Sequence, residues 1–291
     1  MIWNKRFFQY TIIVFLALIW GSSFILMKIG LKSFTSIQAA CIRIFLASLV
    51  LLPYSVKHVR DLRRKDVKYL LVAGFCGSFI PAFLFMKAET RIDSALAGML
   101  NSLTPVFTLI IGLLFLNAQT RWSQIFGIFL GLIGAVGLIS SGKNISFSNI
   151  NGYAFYIVAA TICYGININT VKKYLTHLKG IQITSLSFLF IGPVALIWLL
   201  TTAFEPVIHS EKWIVHFVAL AVLGIAGTAF AMLIMNSLIR YTPAVFASSV
   251  TYIIPIFAII WGVMDNEIIT WLHIGFMALV LTGVYLINRK A

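Results

Sequence analysis

The sequence has few acidic residues and little charge of any kind. Of its 291 residues, 8 are Asp or Glu and 10% are charged, whereas 60% are hydrophobic. A soluble domain cannot hide so much apolar surface, so a bilayer is expected to surround much of the chain. Ten spans of ~20 residues would leave only about 90 residues for connections and tails. This excludes an enzyme with a sizeable active-site domain outside the membrane.

Cysteine is rare, and the usual catalytic signatures are missing. The three cysteines, Cys41, Cys76 and Cys163, all fall inside apolar stretches and are interpreted as small packing residues rather than disulfides or metal ligands. The five histidines are scattered singly, so neither a metal site nor a cofactor is expected. The sequence contains no Walker-type phosphate loop, HExxH or GxSxG motif. ATP hydrolysis and covalent catalysis are therefore not indicated.

Long apolar stretches dominate what is present. They predict an all-α membrane protein with ten transmembrane helices. The stretches cover residues 8–30, 35–55, 67–87, 93–116, 122–141, 151–171, 180–203, 213–238, 243–264 and 271–288.

The basic residues fall mainly on one side of these stretches. Fifteen Lys and Arg lie in connections on one side, six lie on the other, and Arg43 lies inside a span. The positive-inside rule places the first side, which includes the basic run at residues 57–68, in the cytoplasm. We expect a multi-pass membrane protein with both termini cytoplasmic. The net charge of +14 is thus interpreted as orientation, not as nucleic-acid binding.

The chain repeats itself. The matched positions lie 150 residues apart, and each copy carries a proline within an apolar span. The pairs are Gly74 and Gly224, Gly77 and Gly227, Ala97 and Ala247, Pro105 and Pro255, Phe107 and Phe257, and Gly112 and Gly262. The first and sixth spans align at an offset of 144. The predicted halves, 1–143 and 144–291, have five spans each, so the second copy is inverted relative to the first.

Pro105 and Pro255 are predicted hinges. A proline inside a helix frees the carbonyl four residues earlier, here those of Asn101 and Thr251. Unpaired backbone at the middle of a membrane is tolerated only where it faces protein or water. We therefore expect both carbonyls to face water or ligand in a shared central cavity. The alternative is a pair of simple kinks satisfied by neighbouring helices.

Arg43 lies about eight residues into the second span, where a charge is costly and suggests a function. It is expected either to clamp a substrate carboxylate or to form an ion pair with Glu89 or Asp93. Lys28 is a second candidate for attracting a carboxylate, although it could simply reach the membrane surface. The other candidate substrate contacts are polar or aromatic residues that could also serve in packing: Trp20, Phe79, Phe83, Tyr164, Asn167, Asn236 and Tyr252.

No acid lies near the centre of a predicted span. This favours facilitated transport, exchange, or coupling through an acid at a span end, such as Glu89 or Glu267.

Several segments together resemble the EamA-type repeat of the drug/metabolite transporter superfamily. They are Trp20-Gly21-Ser22-Ser23-Phe24, Arg43-Ile44-Phe45-Leu46-Ala47, and the segments around the two prolines, 95–112 and 245–262. The resemblance implies two inverted five-helix repeats, a central cavity, and transport of small metabolites, often amino-acid export, across bacterial inner membranes. The family often has an acid after the fourth and ninth helices. Glu267 fits this pattern, but its counterpart is Asn117.

The function expected is secondary transport of amino acids or related zwitterionic or anionic compounds by alternating access. Its partners would be a small-molecule substrate and membrane lipid, and the protein would be a monomer or homodimer. A nucleotide-sugar or lipid-linked-sugar translocator of the same superfamily is an alternative, which paired basic residues deep in the cavity would favour. An intramembrane lipid-modifying enzyme would need clustered acids or histidines. A structural or sensory subunit would have no solvent path through its bundle.

Overall fold

A computed structural model describes residues 3, 5–116, 121–140 and 152–288. Within these ranges the protein is helical and contains no strand. Nine helices are long and apolar enough to cross a membrane, and a tenth apolar helix is shorter. The nine are α1 (Arg6–Gly30), α2 (Ser36–His58), α3 (Arg64–Ala88), α4 (Ser94–Phe115), α5 (Trp122–Ser140), α6 (Ala154–Tyr174), α7 (Gly180–Leu200), α8 (Trp213–Tyr241) and α9 (Ala244–Met264). The shorter helix is α10 (Trp271–Asn288).

Helices from the two predicted halves contact one another in matched pairs. The contact of α3 with α6 has its counterpart in that of α1 with α8. In the same way, α4 with α6 corresponds to α1 with α9, and α3 with α7 corresponds to α2 with α8. The two most extensive contacts join equivalent helices, α2 with α7 and α5 with α10, and α4 also packs on its equivalent α9. A two-fold relation between the two predicted halves would produce such matched contacts.

The α5–α10 contact depends on small residues. A Cβ at Gly127 would collide with the Gly283 carbonyl, and one at Gly283 would lie 2.7 Å from the Gly131 nitrogen. The GxxxG motif at residues 127–131 therefore brings two backbones together inside the chain. Large apolar side chains such as Leu114, Phe115 and Trp122 are exposed on the outside of the bundle, as expected where lipid is the solvent.

Equivalent spans are broken at equivalent places. α3 contains a π-helical segment at Phe75–Phe79, and α8 contains one at Ile225–Phe230. α4 is divided into helices Ser94–Asn101 and Thr104–Leu116. α9 has a 3-10 segment, Ser249–Tyr252, before its second part, Ile254–Met264. Because π segments and helix breaks expose backbone groups, they favour a binding site at this depth.

The offset between the two copies changes from 144 to 150 at a point after the start of α7. In α2 the Thr35 N–H donates to Gln38 (3.0 Å), and in α7 the Lys179 N–H donates to Gln182 (2.8 Å), which preserves the offset of 144. The connection after α7, residues 201–212, holds a short helix at Glu205–Ile208. Residues 142–150, where the two predicted halves join, and Asn117 lie outside the described residues.

Candidate functional site: a cavity between the halves

A cavity of about 70 Å³ lies between α1, α2, α3, α4, α6, α8 and α9. Six residues named from the sequence line it: Trp20, Arg43, Asn101, Tyr164, Asn167 and Thr251. The lining also includes residues that the sequence analysis did not name as substrate contacts, among them Ser23, Phe24, Met27, Gly77, Ser78, Phe85, Thr104, Gly227, Thr228, Met232, Met235 and Ser248. The walls are thus apolar and aromatic, with a few polar groups pointing inward, as in many small-molecule sites.

Arg43 is held by the π-helical segment of α8. Its Nε donates to the Thr228 hydroxyl (2.6 Å), and Nη1 lies 3.7 Å from the Met27 sulfur. Thr228 in turn donates to the carbonyl of Leu223 (3.0 Å), five residues earlier. In the same segment the Gly227 carbonyl accepts from the Trp20 indole (2.9 Å). The π segment therefore presents a hydroxyl and a carbonyl that orient two cavity residues.

Arg43 is buried but not neutralised. Among the described residues no carboxylate lies within ion-pair distance of its guanidinium. The pairing suggested with Glu89 or Asp93 is thus not formed in this conformation. Asp93 is exposed near the start of α4. The guanidinium is left to face the cavity, where a ligand carboxylate can reach it.

Asn167, on α6, also lines the cavity and packs against the π segment of α3. A Cβ at Gly77 would be 2.7 Å from the Asn167 Nδ2, so only glycine lets the amide sit here. Asn167 is 3% exposed, and its Oδ1 has no hydrogen-bond partner within the described chain. A buried acceptor without a donor is costly, and a bound ligand N–H would satisfy it.

The two proline-bearing spans meet at the same depth. Pro105 and Pro255 lie at the start of the second part of α4 and α9, so each span is interrupted and restarted rather than bent. The carbonyl of Asn101 accepts from the Thr104 hydroxyl (2.8 Å).

The Thr251 carbonyl accepts from Ser102 (2.9 Å), which joins α9 to α4. Each freed carbonyl thus accepts one bond from protein, and that these carbonyls also face water or ligand stays a prediction. Neighbouring hydroxyls have taken the place of the missing N–H groups.

Lys28 does not line the cavity. Its Nζ lies 2.6 Å from the Asp265 carboxylate and 2.8 Å from that of Glu267, at the end of the bundle where α1 ends, here called the distal end. Glu267, with a side chain 2% exposed, also accepts from the backbone N–H groups of Ser94 and Ala95 (both 2.9 Å). The turn after α9 thereby caps the start of α4, and these contacts hold the two halves together at the distal end.

Four other predicted contacts lie away from the cavity. Phe79 and Phe83 pack with each other, and Phe83 stacks on Trp198 (centroids 4.5 Å apart). The Tyr252 hydroxyl donates to the Val284 carbonyl (3.2 Å). Asn236 donates to the Thr184 hydroxyl (2.9 Å) and so joins α8 to α7. Packing and interhelical bonding hold these side chains in this conformation, while the Asn236 Oδ1 has no hydrogen-bond partner among the described residues.

A second, larger space of about 340 Å³ is lined only by apolar residues of α2, α7, α8 and the connections beside them. They include Phe34, Phe45, Phe204 and Phe217. Without polar groups, it offers no means of orienting a polar substrate.

Comparison with known proteins gives the same kind of molecule. The sequence profile of the EamA-like transporter family matches residues 8–140 and again residues 151–289. An uncharacterized transporter of Archaeoglobus fulgidus is 26% identical over 93% of this chain and 95% of that protein. The uncharacterized inner membrane transporter YedA of Escherichia coli is 25% identical over 94% and 91%.

A protein of Streptantibioticus cattleyicolor named "Probable terminal-alkyne amino-acid exporter" is 23% identical over 93% of this chain and 90% of that protein. A solved crystal structure shares the fold, with a TM-score of 0.66 over 98% of this chain and 97% of the other, at 15% identity.

The apolar helices and the relatives define a multi-pass membrane transporter. The chain belongs to the EamA-like transporter family, as its sequence resemblance predicted.

Proposed function

We propose that this transporter exports amino acids or related zwitterionic or anionic metabolites across the bacterial inner membrane by alternating access. The observation that carries the proposal is the pairing of a buried, unneutralised Arg43 with the unsatisfied Asn167 Oδ1 in one cavity. A cation and a hydrogen-bond acceptor in one cavity complement a carboxylate and an ammonium group. Trp20, Tyr164 and Phe85 supply apolar contact for a side chain.

A nucleotide sugar or lipid-linked sugar would bring a diphosphate into the cavity. Arg43 is the one Lys or Arg among the described residues that line it. A single cation suits one carboxylate better than two phosphates. A thermal-shift series with the twenty amino acids, L-propargylglycine as a terminal-alkyne amino acid, and UDP- and GDP-sugars tests this choice. Stabilisation by nucleotide sugars alone would contradict the proposal.

We propose ten transmembrane spans arranged as two inverted repeats, 1–143 and 144–291, with both termini in the cytoplasm. The matched interhelical contacts, the repeated π segments and the twofold profile match support the repeat. The 15-to-6 distribution of basic residues supports the orientation. YedA, the relative named as an inner membrane transporter, supports the location.

Cysteine labelling tests the orientation. In a variant lacking the three native cysteines, an impermeant reagent added outside should label Ile208→Cys and miss Leu62→Cys. Labelling of position 62 alone would reverse the topology.

Rocking of one repeat against the other would expose the cavity alternately. The bonds of Lys28 and Glu267 would then have to break for the distal end to open. The two spaces described and the exposed apolar surface give no reason to assign an oligomeric state, and membrane lipid is the partner that this surface requires.

A further inference from the structure

Glu89 is a buried carboxyl that the proposed substrate site does not use. It is 7% exposed, and neither carboxyl oxygen has a hydrogen-bond partner among the described residues. It follows the last residue of α3, and its own N–H donates to the Phe85 carbonyl (3.0 Å). Phe85, one helical turn earlier, lines the cavity. The carboxyl therefore lies just beyond the cavity, toward the distal end.

Its surroundings do not favour a negative charge. Four groups from other elements face it: Lys28 from α1, Arg43 from α2, Ser94 at the start of α4, and Glu267 after α9. Lys28 is already engaged by two carboxylates, and Arg43 is not within ion-pair distance. The Ser94 hydroxyl is directed to the Phe24 carbonyl (3.5 Å). The carboxyl also sits at the negative end of a helix dipole.

The nearby cations do not compensate an ionised Glu89. Lys28 is shared by Asp265 and Glu267, and Arg43 lies beyond ion-pair distance of any described carboxylate. An ionised Glu89 would therefore be a buried charge with no hydrogen-bond donor or ion-pair partner among the described residues. Burial raises the pKa of Glu89 well above its ordinary value, and the charge of Glu267 adds to this, while Lys28, Arg43 and the Ser94 hydroxyl oppose it.

We propose that Glu89 is the site where a proton binds and leaves during the transport cycle, so that solute movement is coupled to a pH gradient. This rests on the proposed transport function. With the distal end closed, the carboxyl holds the proton. Opening that end admits water to Glu89, removes the cost of burial, and lets the carboxyl ionise and release its proton. No bond other than O–H is formed or broken.

The sign of the coupling follows from the raised pKa. Protonation stabilises the closed distal end, and this stabilisation is present at low pH and is lost as the pH rises through the raised pKa of Glu89. A proton supplied on one side of the membrane therefore biases which conformation is populated.

The first test needs no substrate. Infrared spectra of the purified wild-type protein should show the carbonyl band of a protonated carboxylic acid at neutral pH, and it should disappear at higher pH. Glu89→Gln should lack the band, and Glu211→Gln, which changes an exposed acid at the same end, should retain it. Absence of the band from the wild type, or its persistence in Glu89→Gln, would overturn the proposal.

The second test separates coupling from transport. In proteoliposomes loaded with unlabelled amino acids, counterflow of a ¹⁴C-labelled L-amino-acid mixture requires no gradient. Glu89→Gln should retain counterflow but lose accumulation driven by a pH gradient of either sign. Glu211→Gln should keep both. Gradient-driven accumulation by Glu89→Gln, or loss of counterflow along with accumulation, would overturn the proton site.

If Glu89→Gln does not fold, the infrared titration of the wild type still tests the proton site. Glu89→Asp should then show both the infrared band and the accumulation driven by a pH gradient. Failure of the proposed function gives a different result. The wild type would then show no counterflow of any amino acid, although the titrating band would still be present.

Discussion

The two π-helical segments share a backbone design and differ in chemistry. In α3, Gly77 packs against Asn167. In α8, Gly227 packs against Ser23, which is the residue of the first half equivalent to Asn167. Both segments place a hydroxyl next to the glycine, Ser78 in one and Thr228 in the other. The repeat has thus kept the backbone irregularity that opens the cavity.

The groups facing these hydroxyls differ between the halves. Thr228 accepts from Arg43, whereas the residue equivalent to Arg43 in α7 is Ser187, whose hydroxyl is buried without a partner in the described chain. The backbones still match, because a Cβ at Gly224 would meet the Arg43 carbonyl (2.8 Å) and one at Gly74 the Ser187 carbonyl (3.1 Å). The backbones of the two halves are therefore alike, but the charged side chain belongs to one half. If Arg43 binds the substrate carboxylate as proposed, a zwitterion would bind in one orientation.

Removing the one charge should have the largest effect. We expect Arg43→Ala to lower amino-acid counterflow about 100-fold, since losing hydrogen bonds from a charged donor costs about 3 kcal/mol. The melting temperature should change little, because no ion pair with protein is lost. Arg121→Ala, at an exposed position, is the matched control. Normal counterflow by a folded Arg43→Ala protein would show that substrate charge is not recognised here.

Moving the charge to the other half tests the symmetry. Combining Arg43→Ser with Ser187→Arg should recover about tenfold of the counterflow lost in Arg43→Ser alone, because one restored charged bond is worth about 1.4 kcal/mol. Ser78 is the residue of α3 equivalent to Thr228 of α8, and its hydroxyl can accept a hydrogen bond from the new guanidinium. Ser187→Arg by itself is the control for the added volume. No recovery by a folded double variant would mean that the halves differ in more than this charge.

Replacing the π-segment glycines Gly77 and Gly227 by alanine should weaken amino-acid binding to different extents. Gly77→Ala forces the Asn167 amide to move, and we expect about fivefold weaker amino-acid binding from about 1 kcal/mol of overpacking. Gly227→Ala meets the Ser23 hydroxyl at 2.9 Å, a smaller group, and should weaken binding less. Half-saturation concentrations from thermal-shift titrations measure both. Equal losses would indicate that Asn167 only packs.

The sequence identified several polar residues deep in the spans that line the cavity, but it did not show which side of each helix faces the cavity. Arg43, Asn101, Asn167 and Thr251 were identified because polar groups deep in a span have few acceptable neighbours, and all four line the cavity. Asn236 met the same criterion but bonds to α7. A helix that is apolar on all sides does not reveal which face meets the cavity.

The π segments explain why some predicted residues miss the cavity and others were not predicted. The π segment of α3 shifts the helix register, so Phe79 and Phe83 point toward Trp198, whereas Gly77 and Ser78 line the cavity. A signal was available in Gly74-x-x-Gly77 and Gly224-x-x-Gly227, which occur at matching positions of the two copies. In both halves a hydroxyl residue follows the second glycine.

The prolines should have the smallest effect, and an equal one. At Pro105→Ala the new N–H can reach the Asn101 carbonyl, but that oxygen already accepts from Thr104, so the span is only partly straightened. We expect counterflow to slow about threefold with little change in binding, because the ease of rocking changes while the cavity contacts remain. Pro255→Ala should behave alike, since the Thr251 carbonyl already accepts from Ser102. Counterflow rates set against thermal-shift affinities separate the two quantities. A slow Pro105→Ala beside a normal Pro255→Ala would mean that only α4 changes shape in the cycle, and unchanged rates in both would show that the two breaks shape the cavity without moving.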